Sequence, residues 1–224
     1  MSTSEKVHAR PNTQTDQGGV VELAHPLIQH HLTRLRDERT GPHEFRNLIR
    51  RLAVLLAYEA TQDLVVRDRQ VKTPLTTADG HELKQRIGLV PILRAGLGMV
   101  DSALDLIPHA EVWHLGLYRD ETTAQPVEYY SNLPESGAVD VALILDPMLA
   151  TGGSAVAAVS GLKARGAERI SFMCLVAAPV GVRALARAHP DVPIYAAALD
   201  RQLNDHGYIL PGLGDAGDRL FGTK

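Results

Sequence analysis

Val141–Ser154 reads VALILDPMLATGGS. Five apolar residues, Val141 to Leu145, run straight into Asp146 and Pro147. A short apolar bridge then leads to Thr151-Gly152-Gly153-Ser154, after which Val156, Val159 and Leu162 recur at helical spacing. An uninterrupted apolar run bounded by turn residues predicts an inner strand of a parallel sheet. Glycines and hydroxyls at the start of the next helix sit where free backbone N–H groups and the positive end of the helix dipole collect. Such a unit offers a carboxylate at the strand's end and an anion cradle in the loop. Together they suit a sugar phosphate, with hydroxyls to the acid and phosphate to the loop.

The flanking sequence repeats the pattern. Ile87–Leu93 (IGLVPIL) is a second buried strand, ending in Arg94-Ala95-Gly96-Leu97-Gly98 and a helix to about Ile107. Glu111–Tyr118 reads as the next strand, with Arg119 at its end. Arg169–Ala178 and Val192–Leu199 complete the strands, with a helix over Pro179–Ala188 between them. Strands alternating with helices imply right-handed crossovers and an α/β fold with a mainly parallel sheet flanked by helices. Ligands in such sheets bind at the carboxyl ends of the strands, where Arg94, Arg119 and Asp146 all fall.

Upstream, Val20–Ala24 reads as a short strand, and Pro26 and Pro42 each open a helix. The first helix has Leu27, Ile28, His31, Leu32 and Leu35 on its inner face; the second has Phe45, Leu48, Ile49, Leu52 and Leu56. Arg46, Arg50 and Arg51 form a basic face on the second. Leu64–Leu75 alternates as a strand and pairs in a hairpin with the segment after Ala78-Asp79-Gly80. Asp120–Pro134 is polar, with Tyr129 and Tyr130, and reads as an extended arm or mobile loop. Asn204–Asp218 is too rich in glycine for a helix and reads as a long irregular loop, the kind that carries function in a compact domain.

With 224 residues, 45% hydrophobic and 22% charged, the chain suits one soluble α/β domain over 20–224. Residues 1–19 are polar, lack a signal-peptide core and read as a disordered tail. A net charge of −3 gives no general attraction to nucleic acid or anionic membrane. No apolar run approaches the roughly 18 residues of a membrane span. The single cysteine, Cys174, lies in an apolar run, reads as core, and fits a reducing cytoplasm. Gly212-Leu213-Gly214-Asp215-Ala216-Gly217 matches G-x-G-x-x-G but follows no strand, and only seven residues remain after it, too few for a dinucleotide-binding unit. No lysine precedes Ser154, so the central loop is not a P-loop, and no zinc motif is present.

Four segments in order carry a more specific signal: PILRAGLGM (Pro91–Met99), LYRDE (Leu117–Glu121), DPMLATGGS (Asp146–Ser154) and HGYILPGLGDAGDRLFGTK from His206 to Lys224. Together they resemble the uracil phosphoribosyltransferases of the type I phosphoribosyltransferase fold, over nearly everything from Val21 onward. The wider superfamily has two adjacent acids where this chain has Asp146-Pro147. The uracil branch shares the proline, which argues against a hypoxanthine-guanine or orotate enzyme. The resemblance implies magnesium-dependent transfer of phosphoribose from 5-phosphoribosyl 1-diphosphate (PRPP) to N1 of uracil, giving uridine monophosphate and diphosphate in pyrimidine salvage.

The same resemblance implies the site. PRPP falls to Arg94, Arg119, Asp146, Pro147, Met148, Leu149, Ala150, Thr151, Gly152, Gly153, Ser154 and Asp215. The 5-phosphate lies on Ala150–Ser154, the ribose hydroxyls on Asp146 and the diphosphate on the two arginines. Uracil falls to Ile209, Gly214, Asp215 and Ala216 through backbone groups of the tail loop. Arg119 and Asp215 carry the catalytic expectation. Magnesium is held mainly through the diphosphate, with Asp215 as the one protein carboxylate assigned near it. Some relatives are activated by guanosine triphosphate, and family members commonly form homo-oligomers. The arm Asp120–Pro134 is placed to close over the site. No residue of these motifs reads as a general base for N1–H. Rival readings are the same transfer to another base, a phosphoribosyltransferase-fold regulator that binds RNA through Arg46, Arg50 and Arg51, and a sugar-phosphate binder without turnover.

Overall fold

The computed structural model describes residues 19–119, 126–134 and 139–223, with the backbone alone for Arg119 and Pro126. Residues 1–18 of the expected tail over 1–19, the arm segment 120–125, residues 135–138 and Lys224 lie outside the described residues.

The sheet is built on β8 (Val141–Leu145), the strand quoted at the outset. On one side lie β10 (Arg169–Ala177), β11 (Ile194–Leu199) and β1 (Val20–Glu22); on the other lie β4 (Ile87–Leu93), β6 (Leu115–Arg119) and β7 (Pro126–Ser131). Every pairing from β1 to β6 is parallel, and only β7 runs antiparallel, against β6. Asp120–Pro134, expected as an extended arm or mobile loop, thus contains a paired strand, as the extended reading has it.

Period-two alternation divides the apolar residues between two cores. Val141, Leu143 and Leu145 face one core, with α1 (Pro26–Arg36), α2 (Pro42–Ala60) and α3 (Leu97–Leu106) packed over it. Ala142 and Ile144 face the other, covered by α4 (Gly153–Ala164) and α5 (Pro179–Ala188). Cys174 is fully buried in this second core. Strand β4 therefore sends its chain onto one face through α3, while its neighbour β8 sends its chain onto the other through α4. The crevice between their carboxyl ends is the topological switch point, the natural ligand position in an open α/β sheet.

Four sequence expectations are corrected. The hairpin of β2 (Val66–Lys72) and β3 (Thr77–Leu83) turns at Thr73–Thr76, with Ala78-Asp79-Gly80 inside the second strand. The Thr73 hydroxyl accepts from Thr76 N and closes that turn, which glycine-based reasoning overlooks. The strand expected over 111–118 divides into β5 (Glu111–Val112) and β6, both on β4. Trp113 interrupts it and turns its ring toward Gly88, where a Cβ would lie 3.1 Å from Cζ3. In α1 the buried stripe is Ile28, Leu32 and Leu35, leaving Leu27 exposed and His31 half-buried. The tail holds a short antiparallel pair, β12 (Gln202–Leu203) with β13 (Ile209–Leu210), and a helix, α6 (Ala216–Phe221), that begins inside the supposed loop. Asp215 caps that helix and Gly222, at φ 67°, ends it.

Candidate active site

Two strand ends and the tail meet at the switch point. Strand β8 ends at Asp146, whose N–H donates to Met173 O at 3.1 Å, and the chain then bends through Pro147. Met148–Leu149 forms a two-residue strand, β9, on β10. Asp146 is half-buried as a residue, but its carboxyl is set deep enough for desolvation to push its pKa up to about 7. A long bond from Met148 N, 3.3 Å to Oδ1, opposes this and is the weaker influence.

The loop Ala150–Ser154 is held by close packing. Gly152 adopts φ 88°, open to glycine and strained for other residues, and a Cβ there would lie 2.9 Å from Gly181 O. Gly181, near the start of α5, sits against the loop in turn; its Cβ would fall 2.4 Å from Ala150 O and 2.8 Å from Leu149 O. The two glycines let the loop lie flush on α5. Helix α4 then starts with no side-chain cap, which leaves its first-turn N–H groups available to an anion. Thr151 is exposed, and Gly153 and Ser154 are partly exposed, on this loop.

Across the crevice, β4 ends at Arg94, and the next turn fits tightly against β8: a Cβ on Gly96 would lie 2.3 Å from Leu145 O. Arg94 is joined to Leu93 by a cis peptide bond. Its guanidinium reaches Asp218 Oδ1 at 3.2 Å and lies 5.9 Å from the centroid of Phe221. The tail is thereby brought to the sheet edge. Asp215 Oδ1 accepts from Asp218 N at 2.9 Å, so one carboxylate oxygen of Asp215 serves α6. Ile209 and Ala216 are buried, while Gly214, at φ 78°, is exposed. Arg119 closes β6 on the same edge of the sheet, its backbone beyond the Gly116–Leu93 pairing.

The structure thus gathers Arg94, Asp146, Ala150–Ser154 and the Ile209–Ala216 tail. It also shows three arginines holding the tail, a role the motifs did not mark. Arg36, from the last turn of α1, grips Asp200 with both terminal nitrogens at 2.7 and 2.6 Å. Arg219 donates to the carbonyls of Leu35, Leu213 and Asp37 and stacks 4.4 Å over the Phe45 ring, and its burial lowers its pKa. Arg46 donates to Leu220 O. Apart from Arg219 to Leu213, six residues apart, each of these pairings spans well over a hundred residues in sequence, so no local pattern signals them. Arg46 is therefore committed to the tail helix and Arg50 is paired with Asp101, which leaves the RNA-binding reading little basic surface. A separate recess is lined by Trp113, Pro134, Val139, Leu162, Ala167 and the charged Arg165.

A carboxylate and an uncapped helix N-terminus at the switch point, with arginine opposite, suit a ligand that carries both hydroxyls and phosphate, as a phosphoribosyltransferase substrate does. The family model described as uracil phosphoribosyltransferase matches residues 21–223. A uracil phosphoribosyltransferase of Roseiflexus sp. (strain RS-1) is 65% identical over 199 residues, 89% of this chain and 96% of that protein. One of Geobacillus kaustophilus is 58% identical over 208 residues, 92% of this chain and all of that protein. A solved structure of an Aquifex aeolicus protein superposes with a TM-score of 0.87 at 38% identity, covering 92% of this chain and 99% of that one. The chain belongs to the uracil phosphoribosyltransferase family, enzymes of the pentosyltransferase class.

Proposed function

We propose that the chain transfers phosphoribose from PRPP to N1 of uracil, releasing diphosphate and uridine monophosphate. The single observation that carries this reading is the sharing of one sheet edge by Asp146 and the uncapped start of α4, with the tail tied there through Arg94 and Asp218.

The roles follow from the chemistry of each group. The N–H groups of Ala150–Ser154 and the hydroxyls of Thr151 and Ser154 bind the 5-phosphate. Asp146 accepts from the ribose hydroxyls. Arg94 and Arg119 offer guanidinium forks to the diphosphate oxygens. Uracil presents O4 as acceptor and N3–H as donor, matching main-chain N–H and C=O groups around Ile209 and Gly214–Ala216. Cytosine reverses the pattern and leaves site groups unpaired, a heavily discriminated mismatch. As diphosphate departs, the ribose gains oxocarbenium character; the arginines offset charge on the leaving group while the tail holds N1 close to the anomeric carbon.

Among the described residues no three of His, Cys, Asp and Glu converge on a metal-sized site. Asp215 has one oxygen committed to its helix. This donor set suits a magnesium ion that arrives on the diphosphate, with Asp215 placed to add a carboxylate oxygen to it. When bound, magnesium would add positive charge where the leaving group develops its negative charge.

The reading extends to a single domain over 20–224, a homo-oligomer and a cytoplasmic enzyme. Every residue of β2 is exposed, and a two-stranded hairpin is marginal alone in water, which favours cover by a second copy. No helix among the described residues is long and apolar enough to cross a membrane. Activation by guanosine triphosphate rests on the family resemblance. The test is uridine monophosphate formation from uracil and PRPP, with and without magnesium and guanosine triphosphate, beside cytosine, hypoxanthine and orotate. Magnesium-dependent product from uracil alone is expected; product from another base instead would overturn the tail assignment.

A further inference from the structure

The base-binding tail is fixed by a pair of charges that belong to neither the phosphate loop nor the diphosphate arginines. Asp200 follows β11 directly and is buried, 6% exposed. Its Oδ1 accepts from Arg36 Nη2 at 2.6 Å; its Oδ2 accepts from Arg36 Nη1 at 2.7 Å and from Gly212 N at 2.9 Å. Arg36 Nη1 also donates to Gly212 O at 2.7 Å. Both backbone polar groups of Gly212 are therefore held by one ion pair. The next carbonyl, Leu213 O, is held at 2.8 Å by Arg219.

Gly212 is where the tail reverses. It sits at φ 63°, and a Cβ there would lie 2.0 Å from Ile209 O, so only glycine fits the turn. On one side lies Ile209; two residues beyond on the other lies Gly214, within about 7 Å of chain. These are the two segments assigned to uracil. Recognition by main-chain groups works only where the donor–acceptor distance falls near 2.7–3.2 Å, so the backbone must be set before the base arrives. No side chain can adjust to correct a misplaced turn.

We propose that Arg36 and Asp200 are positioning residues for base recognition: their ion pair clamps the Gly212 turn and so sets the spacing between Ile209 and Gly214–Ala216. Neither residue touches substrate. This inference rests on the proposed assignment of uracil to the tail.

Steady-state kinetics of the full chain test it, on wild type, Arg36→Met, Arg36→Lys and Asp200→Asn. Losing a charge-assisted bond at the turn is expected to raise KM for uracil about ten-fold or more in Arg36→Met and Asp200→Asn. KM for PRPP is expected to rise several-fold less than KM for uracil, because its phosphate cradle lies on α4 and only Asp215 reaches it from the tail. Discrimination of uracil from cytosine falls in the same variants. Arg36→Lys keeps the charge but cannot span both Asp200 oxygens and Gly212 O, so it lies between. A fall in kcat with both KM values unchanged is the sign of lost active protein and overturns the clamp, as does unaltered kinetics. If Arg36→Met fails to fold, Arg36→Lys and Asp200→Asn decide. If the wild type turns over a different base, the uracil assignment fails and the clamp is scored on that base's KM by the same criterion.

Discussion

Gly181→Ala places a methyl group where the phosphate loop leans on α5. The new Cβ would lie 2.4 Å from Ala150 O and 2.8 Å from Leu149 O, and both are backbone atoms with no rotamer to change. Contacts of this kind sit at 3.0–3.4 Å at the tightest, so the loop must retreat by about 0.6–1.0 Å. Overpacking of this sort costs about 1–3 kcal/mol, which lowers Tm by about 2–4 °C per kcal/mol in a chain of this size. The retreat also draws the loop's N–H groups off the phosphate. A charge-assisted bond is worth about 1.5–3 kcal/mol, so loss of one raises KM for PRPP about ten- to a hundred-fold. KM for uracil stays within about two-fold, because Gly181 is remote from the tail turn. Gly161→Ala is the control. It lies inside α4, its Cβ would meet only Arg165 Nη1 at 3.5 Å and Leu133 Cδ1 at 3.9 Å, and it should gain about 0.4–1 kcal/mol with unchanged kinetics. Thermal melts and PRPP-varied initial rates decide the matter. A Gly181→Ala enzyme that melts lower yet binds PRPP normally would refute the assignment of phosphate to this loop.

Asp146, pushed up to about 7 by burial, gives a pH signature. Its folded pKa lies above the ordinary 3.8, so the folded state keeps a proton that the unfolded chain has released. Its contribution to stability is therefore largest below about pH 4, declines as pH rises to about 7, and is level above. Asp146→Asn should remove that decline and raise Tm at alkaline pH, while weakening PRPP use; identical melting-versus-pH curves would show the carboxyl is not desolvated. In the wild type, PRPP affinity should weaken as pH falls below about 7, since a protonated carboxyl accepts ribose hydroxyls poorly, and calorimetry across that range checks the sign. Arg119→Ala should lower turnover at least about a hundred-fold with Tm nearly unchanged, and wild-type turnover would remove Arg119 from the mechanism. Chelation of magnesium should abolish product formation and leave the melt of the free chain in place, because no donor cluster among the described residues holds a metal in the fold; a large drop in Tm would reveal a resident ion.

The sheet and the loop proposed for the phosphate were legible as local structure because each rests on a contiguous stretch. Val141–Leu145, Ile87–Leu93 and Arg169–Ala177 are all buried runs that became neighbouring parallel strands. The TGGS segment became an uncapped helix start. The misreadings have local physical causes. Thr73 closes the hairpin turn with a hydroxyl, so the turn precedes Gly80, which lies paired inside β3. Trp113 breaks a strand because its ring needs the space over Gly88. The tail hid a helix because two glycines and a proline precede it, although Asp215 with Asp218 three residues later is an N-terminal capping pattern.

The tail proposed to bind the base was legible only as composition. Its position comes from side chains that sequence distance separates from it: Arg36 to Gly212, Arg46 to Leu220, Arg219 to Leu35 and Asp37. An arginine in the last turn of α1 looks like an ordinary partner for the helix dipole, and its use as a clamp on a turn 176 residues away exists only in the folded chain. The two halves therefore depend on different physics. A phosphate can be held by a strand–loop–helix unit whose geometry is set by its own glycines and by the helix beside it. A base read through main-chain groups needs a loop made rigid from outside, because glycine-rich backbone supplies donors without supplying stiffness. Substitutions in the first two helices should accordingly reach uracil recognition before they reach the phosphate, even though those helices hold none of the residues assigned to either substrate.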